Sequence, residues 1–244
     1  MIDGAAMDRE KKLKLIRDFF YAGTNFDAWF LVVSQHVKSD MDVCEIGSGS
    51  GKGFQNKKYP KAKLIFGMDL DSRVLLNPYL NEAAIGSAYD LPQLVAGHKF
   101  DVIYSHMVVE HIDNPLKFIG VQMECLKPGG IIVHSTVSKY YWSSLINNQV
   151  PDGVKNWLIS RLGSGRTSED TFDAYYFLNS ATQVAQIAKT LDLSYTISRS
   201  DQAPGYLRAS FVLMLIYTAI HKPLQVVFPA LRPTLIFTFK RRAN

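Results

Sequence analysis

A run of alternating glycines after a short apolar segment constrains this chain more than any other feature. Residues 42–53 are DVCEIGSGSGKG. After the acid Glu45, glycine stands at four alternate positions: Gly47, Gly49, Gly51 and Gly53. Because glycine has no side chain, the backbone can approach a ligand closely there, and the N–H groups of the residues that follow are available to bind it. The stretch predicts a strand that ends in a nucleotide-binding turn.

Two familiar nucleotide-binding loops fit this stretch poorly. A Walker-type phosphate loop needs a glycine five residues before Gly51 and a Ser or Thr after the lysine, but Ile46 and Gly53 stand there. That interpretation fails. A dinucleotide-binding turn, G-x-G-x-x-G, counted from Gly47 places Lys52 where the last glycine belongs, so its support is weak.

The spacing that does fit is acid-x-G-x-G-x-G, starting at Glu45. Asp69 stands eighteen residues after Gly51, at the predicted tip of the next strand. A carboxylate in that place can accept both hydroxyls of a ribose, as an acid about 20 residues downstream does in nucleotide-binding sheets. The alternative for both acids is a surface turn or a helix cap.

Apolar strands alternate with helices along most of the chain. The predicted strands are 41–46, 63–68, 83–86, 100–104, 131–135, 194–198 and 234–239. The predicted helices are 7–21, one that begins at Thr24 or Asn25, a short one after the glycines, 72–79, 115–126 and 180–191. Continuous apolar strands between helices are typical of a parallel sheet that is covered on both faces.

The length of 244 residues is typical of one large domain with insertions and an ample core. We expect a helical prelude over 1–39, a ligand-binding core over 40–137, an aromatic cap insertion over 138–178 and an apolar insertion over 204–232.

Charge gives little support for a nucleic-acid partner. The formal net charge is +5, and the basic clusters are 9–17, 57–58 and 240–242. A solvated helix face or a chain end explains such clusters more simply than a phosphate backbone does.

Three further classes of protein are not expected. Charged residues precede any apolar run at the N-terminus, so no secretory signal is predicted. The longest uncharged apolar run, 209–220, is shorter than the roughly 18 residues that a membrane-spanning helix needs. Cys44 and Cys125 lie in apolar segments, which predicts buried, reduced thiols in a cytoplasmic protein, and Cys/His spacing for a metal is absent.

Five stretches resemble one family when they are taken together. They follow in order within residues 40–137: VCEIGSGSGKG, GMDLDS, GSAYDLP, FDVIYSHMVVEHIDNP and LKPGGIIVHST. In this set the chain resembles the class I S-adenosylmethionine-dependent methyltransferases, especially their small-molecule branch. The resemblance implies a Rossmann-like α/β fold with seven mostly parallel strands, an antiparallel last strand and helices on both faces. It also implies S-adenosylmethionine as the cofactor.

The resemblance also implies which residues bind the cofactor. They are Glu45, Gly47, Ser48, Gly49 and Gly51 around the methionine part, Asp69 on the ribose, Leu70, Ser87 and Ala88 at the adenine, and Ser105 at the methyl-transfer centre. Many relatives have an acid where Ser87 stands, so a contact there is expected to be weaker or to come from the backbone.

Methyl transfer to an oxygen acceptor requires removal of the hydroxyl proton near the transfer step, and imidazole titrates in the right range. His106, at the tip of the fourth strand, and His111 are the candidate bases. For His111 a structural role at a loop-to-helix junction is the alternative, and His134, inside the fifth strand, is expected to be buried structure.

The acceptor should be bound by the insertions, since in this fold the cofactor end is shared and the acceptor end varies. Tyr140, Tyr141 and Trp142 could stack on a sugar or planar acceptor, or form the cap's own small core. The segment 206–220 is apolar on nearly all sides, which predicts burial against the sheet, a dimer contact or peripheral membrane docking.

The favoured function is therefore O-methylation of a small molecule, a saccharide or a lipid-linked acceptor. Two alternatives stay open. One is a nicotinamide-dependent oxidoreductase of the Rossmann type, and the other is a binding protein that keeps the fold without turnover. The sequence does not define an oligomeric state.

Overall fold

The computed structural model describes residues 24–51, 59–142, 144, 173–201 and 211–242. Contacts divide the chain into two compact units. The described part of the first is 24–28, 137–142, 144, 173, 199–201 and 211–234, and that of the second is 29–51, 59–136, 174–198 and 235–242. The predicted helix 7–21, the helix after the glycines and most of the cap insertion lie outside the described residues. The single-domain interpretation stays a prediction.

The second unit contains most of a seven-stranded sheet. The strands are β1 Asp42–Ile46, β2 Leu64–Asp69, β3 Glu82–Ile85, β4 Phe100–His106, β5 Leu126–Val137, β6 Leu193–Ser200 and β7 Thr234–Arg241. They are ordered β3-β2-β1-β4-β5-β7-β6, and the four pairings among β1 to β5 are parallel.

The last strand runs against the others. Ser194 of β6 donates a hydrogen bond to the carbonyl oxygen of Lys240 in β7 over 3.1 Å. Two residues further along β6, Thr196 pairs with Thr238 over 2.7 Å, so the partner number falls as the β6 number rises. This opposed numbering is that of an antiparallel pair. The predicted fold class is confirmed.

In the part of the chain that the structure describes, five α-helices accompany the sheet: α1 Asn25–His36, α2 Leu91–Leu94, α3 Pro115–Glu124, α4 Ala181–Thr190 and α5 Phe211–Val227. Side-chain caps fix two of the starts. Asn114 accepts from the Lys117 N–H at 3.1 Å before α3, and Ser180 accepts from the Gln183 N–H at 3.3 Å before α4.

Two predicted elements differ from the structure. The helix expected over 72–79 is a 3₁₀ helix, Ser72–Leu76, because Pro78 disfavours helical backbone at the preceding residue. The fifth strand is longer than predicted and begins at Leu126, with a register shift opposite β4 that accommodates the Pro-Gly-Gly stretch.

The sheet of the second unit is buried on both faces. One face carries Cys44 and Ile46 into a large apolar cluster with residues of α2, α3 and α4. The opposite face carries Glu45 and Tyr104, and Trp29 of α1 packs its ring 5.7 Å from that of Tyr104. Because side chains alternate along a strand, neighbours in sequence point to different faces.

Within the described ranges, no helix is long and apolar enough to cross a membrane. The same residues contain no group of three or more His, Cys, Asp or Glu side chains that could hold a metal ion. Both cysteines are free and buried, as predicted.

Candidate functional site

The glycine-rich turn after β1 needs glycine for two separate reasons. Gly47, Gly49 and Gly51 have φ angles of +74°, +50° and +74°, which side-chain-bearing residues rarely adopt. In addition, a Cβ atom on Gly47 would collide with the side chain of Val108, and one on Gly51 would lie 2.5 Å from Asn77 Oδ1. The turn therefore brings bare backbone to the carboxyl ends of the strands, where α/β sheets bind ligands.

Asp69 ties this turn to the end of β2. Its Oδ2 accepts a hydrogen bond from the Gly49 N–H at 2.8 Å, and its Oδ1 accepts one from the Asp71 N–H at 2.9 Å. Each carboxylate oxygen has a second lone pair, so both can accept from a ligand as well. This geometry fits the ribose-binding role that the resemblance implies.

Glu45 is a buried carboxyl group at the start of the turn, with 4% of its surface exposed. Burial, and then the charge of nearby Asp69, raises its pKa well above its ordinary value. Its Oε2 accepts a hydrogen bond from the Tyr59 hydroxyl, and the Tyr59 ring is stacked on that of Tyr79 at 5.2 Å. A buried carboxyl group of this kind is suited to a cationic ligand, because a cation would restore the ionised form.

Tyr104 is a residue of this site that the sequence reasoning missed. It pairs with Glu45 in the register between β1 and β4, and its side chain is fully buried. Its hydroxyl has no hydrogen-bond partner among the described residues. Burial, followed by the charges of Glu45 and Cys44, raises the pKa of the hydroxyl well above its ordinary value. The group is thus a neutral donor beside Glu45.

His106 lies on the same face as Tyr104, two residues further along β4. Its Nδ1 is 2.7 Å from Ser135 Oγ of β5, the residue paired with it in the strand register. Its ring lies 4.9 Å from that of Trp29. Trp29 and Ser135 therefore hold the imidazole at the carboxyl end of β4, beside Tyr104.

Ser105 points away from this site. Its Oγ lies 2.7 Å from His134 Nδ1, and both side chains are fully buried on the opposite face of the sheet. Burial lowers the pKa of His134 to about 3, so the ring is neutral. His134 is buried as expected. The expectation for Ser105 needs correction: only its main chain, and not its hydroxyl, can face a cofactor.

The residues expected around the adenine lie beside β2 and β3. Leu70 is 63% exposed, which leaves its side chain available to pack on a planar ring. Ser87 caps a 3₁₀ helix, Ala88–Asp90, by accepting from the Tyr89 N–H at 3.3 Å. The Ser87 hydroxyl is therefore already engaged, and Ala88 packs against the core.

Glu110 is a buried junction of three chain segments. Its Oε2 accepts from Thr136 Oγ1 at 2.8 Å, and its carbonyl oxygen accepts from the Tyr175 N–H at 2.8 Å. Asn179 in turn donates to Thr136 Oγ1 at 2.6 Å. His111, half-buried, follows in the 3₁₀ helix Val109–His111. That position agrees with the structural alternative for His111.

Tyr140, Tyr141 and Trp142 of the cap belong to the first unit. The Tyr141 hydroxyl lies 3.2 Å from that of Tyr217, which lies 3.0 Å from His221 Nδ1. The Tyr141 and Trp142 rings are 5.7 Å apart, whereas Tyr140 is exposed. Tyr141 thus contacts residues of α5, a helix of the apolar insertion in the same unit.

Comparison with known proteins gives one family and one fold. A family model described as a methyltransferase domain matches residues 21–166. A crystal structure described as a SAM-dependent methyltransferase from Archaeoglobus fulgidus has a TM-score of 0.58 at 13% identity and covers 88% of this chain and 92% of that one. At this identity the likeness concerns the fold.

Two curated relatives bear the name ubiquinone biosynthesis O-methyltransferase. The mitochondrial protein of Dictyostelium discoideum is 27% identical over 144 residues, or 48% of this chain and 44% of that protein. The protein of Cereibacter sphaeroides is 25% identical over 187 residues, or 69% of this chain and 72% of that protein. The matches thus span between 44 and 72% of the relatives' length.

Proposed function

This chain belongs to the methyltransferase-domain family and takes its methyl group from S-adenosylmethionine, and we propose that it transfers this group to a hydroxyl oxygen of a small molecule. The family and cofactor implied by the five sequence stretches are thereby confirmed. The nicotinamide-dependent alternative is removed. The observation that carries the proposal is the buried Glu45 at the glycine turn, with Asp69 across it.

The chain's own residues fit this cofactor. When bound, S-adenosylmethionine supplies a methyl carbon made electrophilic by a positively charged sulfur. The glycine turn would admit its methionine part, and Glu45 would pair with its positive charge. Asp69 would accept the ribose hydroxyls, and Leu70 would pack on the adenine. Tyr104 would donate its hydroxyl proton to a ligand atom beside Glu45, which would satisfy a buried group that has no partner among the described residues.

His106 is the proposed general base. With a hydrogen on Nδ1, the ring donates to Ser135, and Nε2 is then the atom that accepts the proton of the acceptor hydroxyl. Trp29 would exclude water on one side of the imidazole. In-line methyl transfer depends mainly on alignment, so a fixed ring is more useful here than a mobile one.

The proposed acceptor is a phenolic hydroxyl, with a saccharide hydroxyl as the second candidate. The names of the two relatives favour O-methylation. The half-buried His106 ring favours a planar acceptor, because offset aromatic stacking adds to simple burial. The expectation that Tyr140, Tyr141 and Trp142 contact the acceptor stays a prediction.

Titration calorimetry of the full chain with S-adenosylmethionine, S-adenosylhomocysteine and NAD tests the cofactor. Binding of both adenosyl compounds is expected, and binding of NAD alone would overturn the proposal. Mass spectrometry after incubation with S-adenosylmethionine and catechols, phenols or sugars then tests the acceptor. Cofactor binding without methylation of any hydroxyl would favour the alternative of a non-catalytic binding protein.

A further inference from the structure

Helix α5 carries its apolar side chains on the outside of the first unit. Eight large apolar side chains between 212 and 228 are between 42 and 74% exposed, with Val226, Val227 and Val212 the most exposed at 74, 67 and 61%. Single exposed apolar residues are normal on a soluble protein, but a continuous set along one helix marks an interaction surface. These side chains are exposed, so the predicted alternative of burial does not hold for them.

Among the side chains of α5 that the structure describes, the buried ones are Met214, Thr218 and Gln225, two of which are polar. Thr218 and Gln225 are each 2% exposed, and the Tyr217 hydroxyl is hydrogen-bonded to His221. Lys222 forms an ion pair with Asp201 in the same unit. A helix on the surface of a soluble protein has the opposite arrangement, with its apolar stripe inside. The orientation of α5 therefore suits an apolar environment outside the protein.

Charge decides which apolar environment fits. From residue 202 to residue 234, within the first unit, the sequence contains three Lys or Arg residues and no Asp or Glu. Contact between two copies of this segment would bring like charges together, which is unfavourable. An anionic lipid surface would instead attract them, since each basic residue near such a surface adds to binding.

We propose that α5 docks flat on an anionic membrane, with Val212, Ile220 and Val227 among the side chains that enter the boundary between headgroups and acyl chains. The helix has 17 residues, fewer than the roughly 20 that a membrane-spanning helix needs, so it would lie on the surface. The proposal goes beyond methyl transfer and does not depend on it.

Co-sedimentation of the full chain with vesicles tests the docking in the absence of any cofactor. Wild-type protein is expected to sediment with vesicles of phosphatidylcholine and phosphatidylglycerol, and less with phosphatidylcholine alone. The double variant Ile220→Glu, Val227→Glu should bind at least about tenfold more weakly. Leu31→Glu, a change at an exposed apolar position of α1, should bind like wild type.

Full recovery of the wild-type chain in the supernatant with anionic vesicles would overturn the proposal. A wild-type dimer, measured by light scattering, that the double variant abolishes would also overturn it. In that case a second copy of the chain would cover the apolar side of α5.

A second measurement does not require the double variant to fold. Val227→Cys, labelled with a polarity-sensitive dye, should show a blue-shifted emission when anionic vesicles are added, because the two native thiols are buried. Leu31→Cys with the same dye should show none. An unchanged spectrum at position 227 would count against docking as firmly as failed sedimentation.

Discussion

Ser105 and His134 form a hydrogen bond inside the sheet, with 2.7 Å between Ser105 Oγ and His134 Nδ1. Burial lowers the pKa of this histidine from 6.5 to about 3. Below pH 6.5 the unfolded chain therefore binds a proton that the folded chain excludes. Folding stability from this residue is fully present above pH 6.5 and is lost as the pH falls towards 3.

We expect the free energy of unfolding to fall by about 2 kcal/mol between pH 7 and pH 5 through His134 alone. Urea denaturation at both pH values measures it. His134→Gln, whose side chain cannot titrate, should be less stable than wild type at pH 7. Its free energy of unfolding should fall less than that of wild type between pH 7 and pH 5. An equal loss in both proteins would contradict the assignment.

Glu45→Gln should separate stability from ligand binding. The raised pKa means that ionised Glu45 destabilises the folded, ligand-free chain above pH 4.5, its ordinary pKa. The variant should therefore be at least as stable as wild type at pH 8 in denaturant titration. Its affinity for S-adenosylmethionine should fall about tenfold or more, since a charge-assisted contact is lost. Glu124→Gln, an exposed change on α3, is the matched control and should alter neither quantity.

Tyr104→Phe removes a buried hydroxyl that has no partner among the described residues. The ligand-free variant should gain about 1 kcal/mol in the free energy of unfolding, because the cost of burying that group disappears. Binding of S-adenosylhomocysteine should nevertheless weaken, by about tenfold, in titration calorimetry. Tyr195→Phe on β6, where the ring is exposed, should leave both values unchanged. Unaltered affinity of the Tyr104 variant would remove the residue from the ligand site.

His106→Ala should slow turnover by about 100-fold or more while leaving the affinity for S-adenosylhomocysteine nearly unchanged, as expected for loss of a general base. Steady-state rates with excess cofactor give the comparison. His98→Ala, whose ring lies 3.5 Å from Asp42 at the other end of the strands, serves as the control. A wild-type turnover rate in His106→Ala would contradict the proposal that His106 is the general base.

Substitutions at Gly97 and Gly47 separate the cost of backbone strain from the cost of a steric collision. At Gly97, with φ +87°, a Cβ meets no atom within 4 Å, so Gly97→Ala should cost about 1–2 kcal/mol from backbone strain alone. At Gly47, with φ +74°, the added methyl also collides with Val108. Gly47→Ala should therefore cost more, as measured by thermal unfolding. The double variant Gly47→Ala, Val108→Ala should recover only the part of the stability loss that exceeds the loss in Gly97→Ala. Equal losses in Gly47→Ala and Gly97→Ala would contradict the collision with Val108.

Much of the fold and half of the site could be predicted from local pattern. The acid and glycines after β1, and Asp69 after β2, lie where the spacing indicated, because the end of a strand and the turn that follows are set by nearby residues. Tyr104 and Trp29 could not be found this way. Their proximity depends on cross-strand register and on a helix that precedes the sheet by many residues. Alternation along β4 was the available signal for Ser105, since it places residues 105 and 106 on opposite faces.

The orientation of the apolar insertion could not be predicted from the sequence either. Its composition indicated a helix with apolar residues on nearly every side, which is compatible with burial, pairing or docking. Only the packing of the first unit shows which side faces inward. Thr218 and Gln225 are buried while Val226 and Val227 are exposed, and no periodicity of the sequence requires that choice.

Glu110 contacts both residues that flank one segment of the chain. Thr136 and Tyr175, one on its side chain and one on its carbonyl oxygen, flank residues 137–173, which belong to the other unit. The residues just before and just after that segment are therefore both hydrogen-bonded to Glu110. A segment of another length would therefore have to begin and end beside Glu110, and it would also have to keep the contact between Tyr141 and Tyr217.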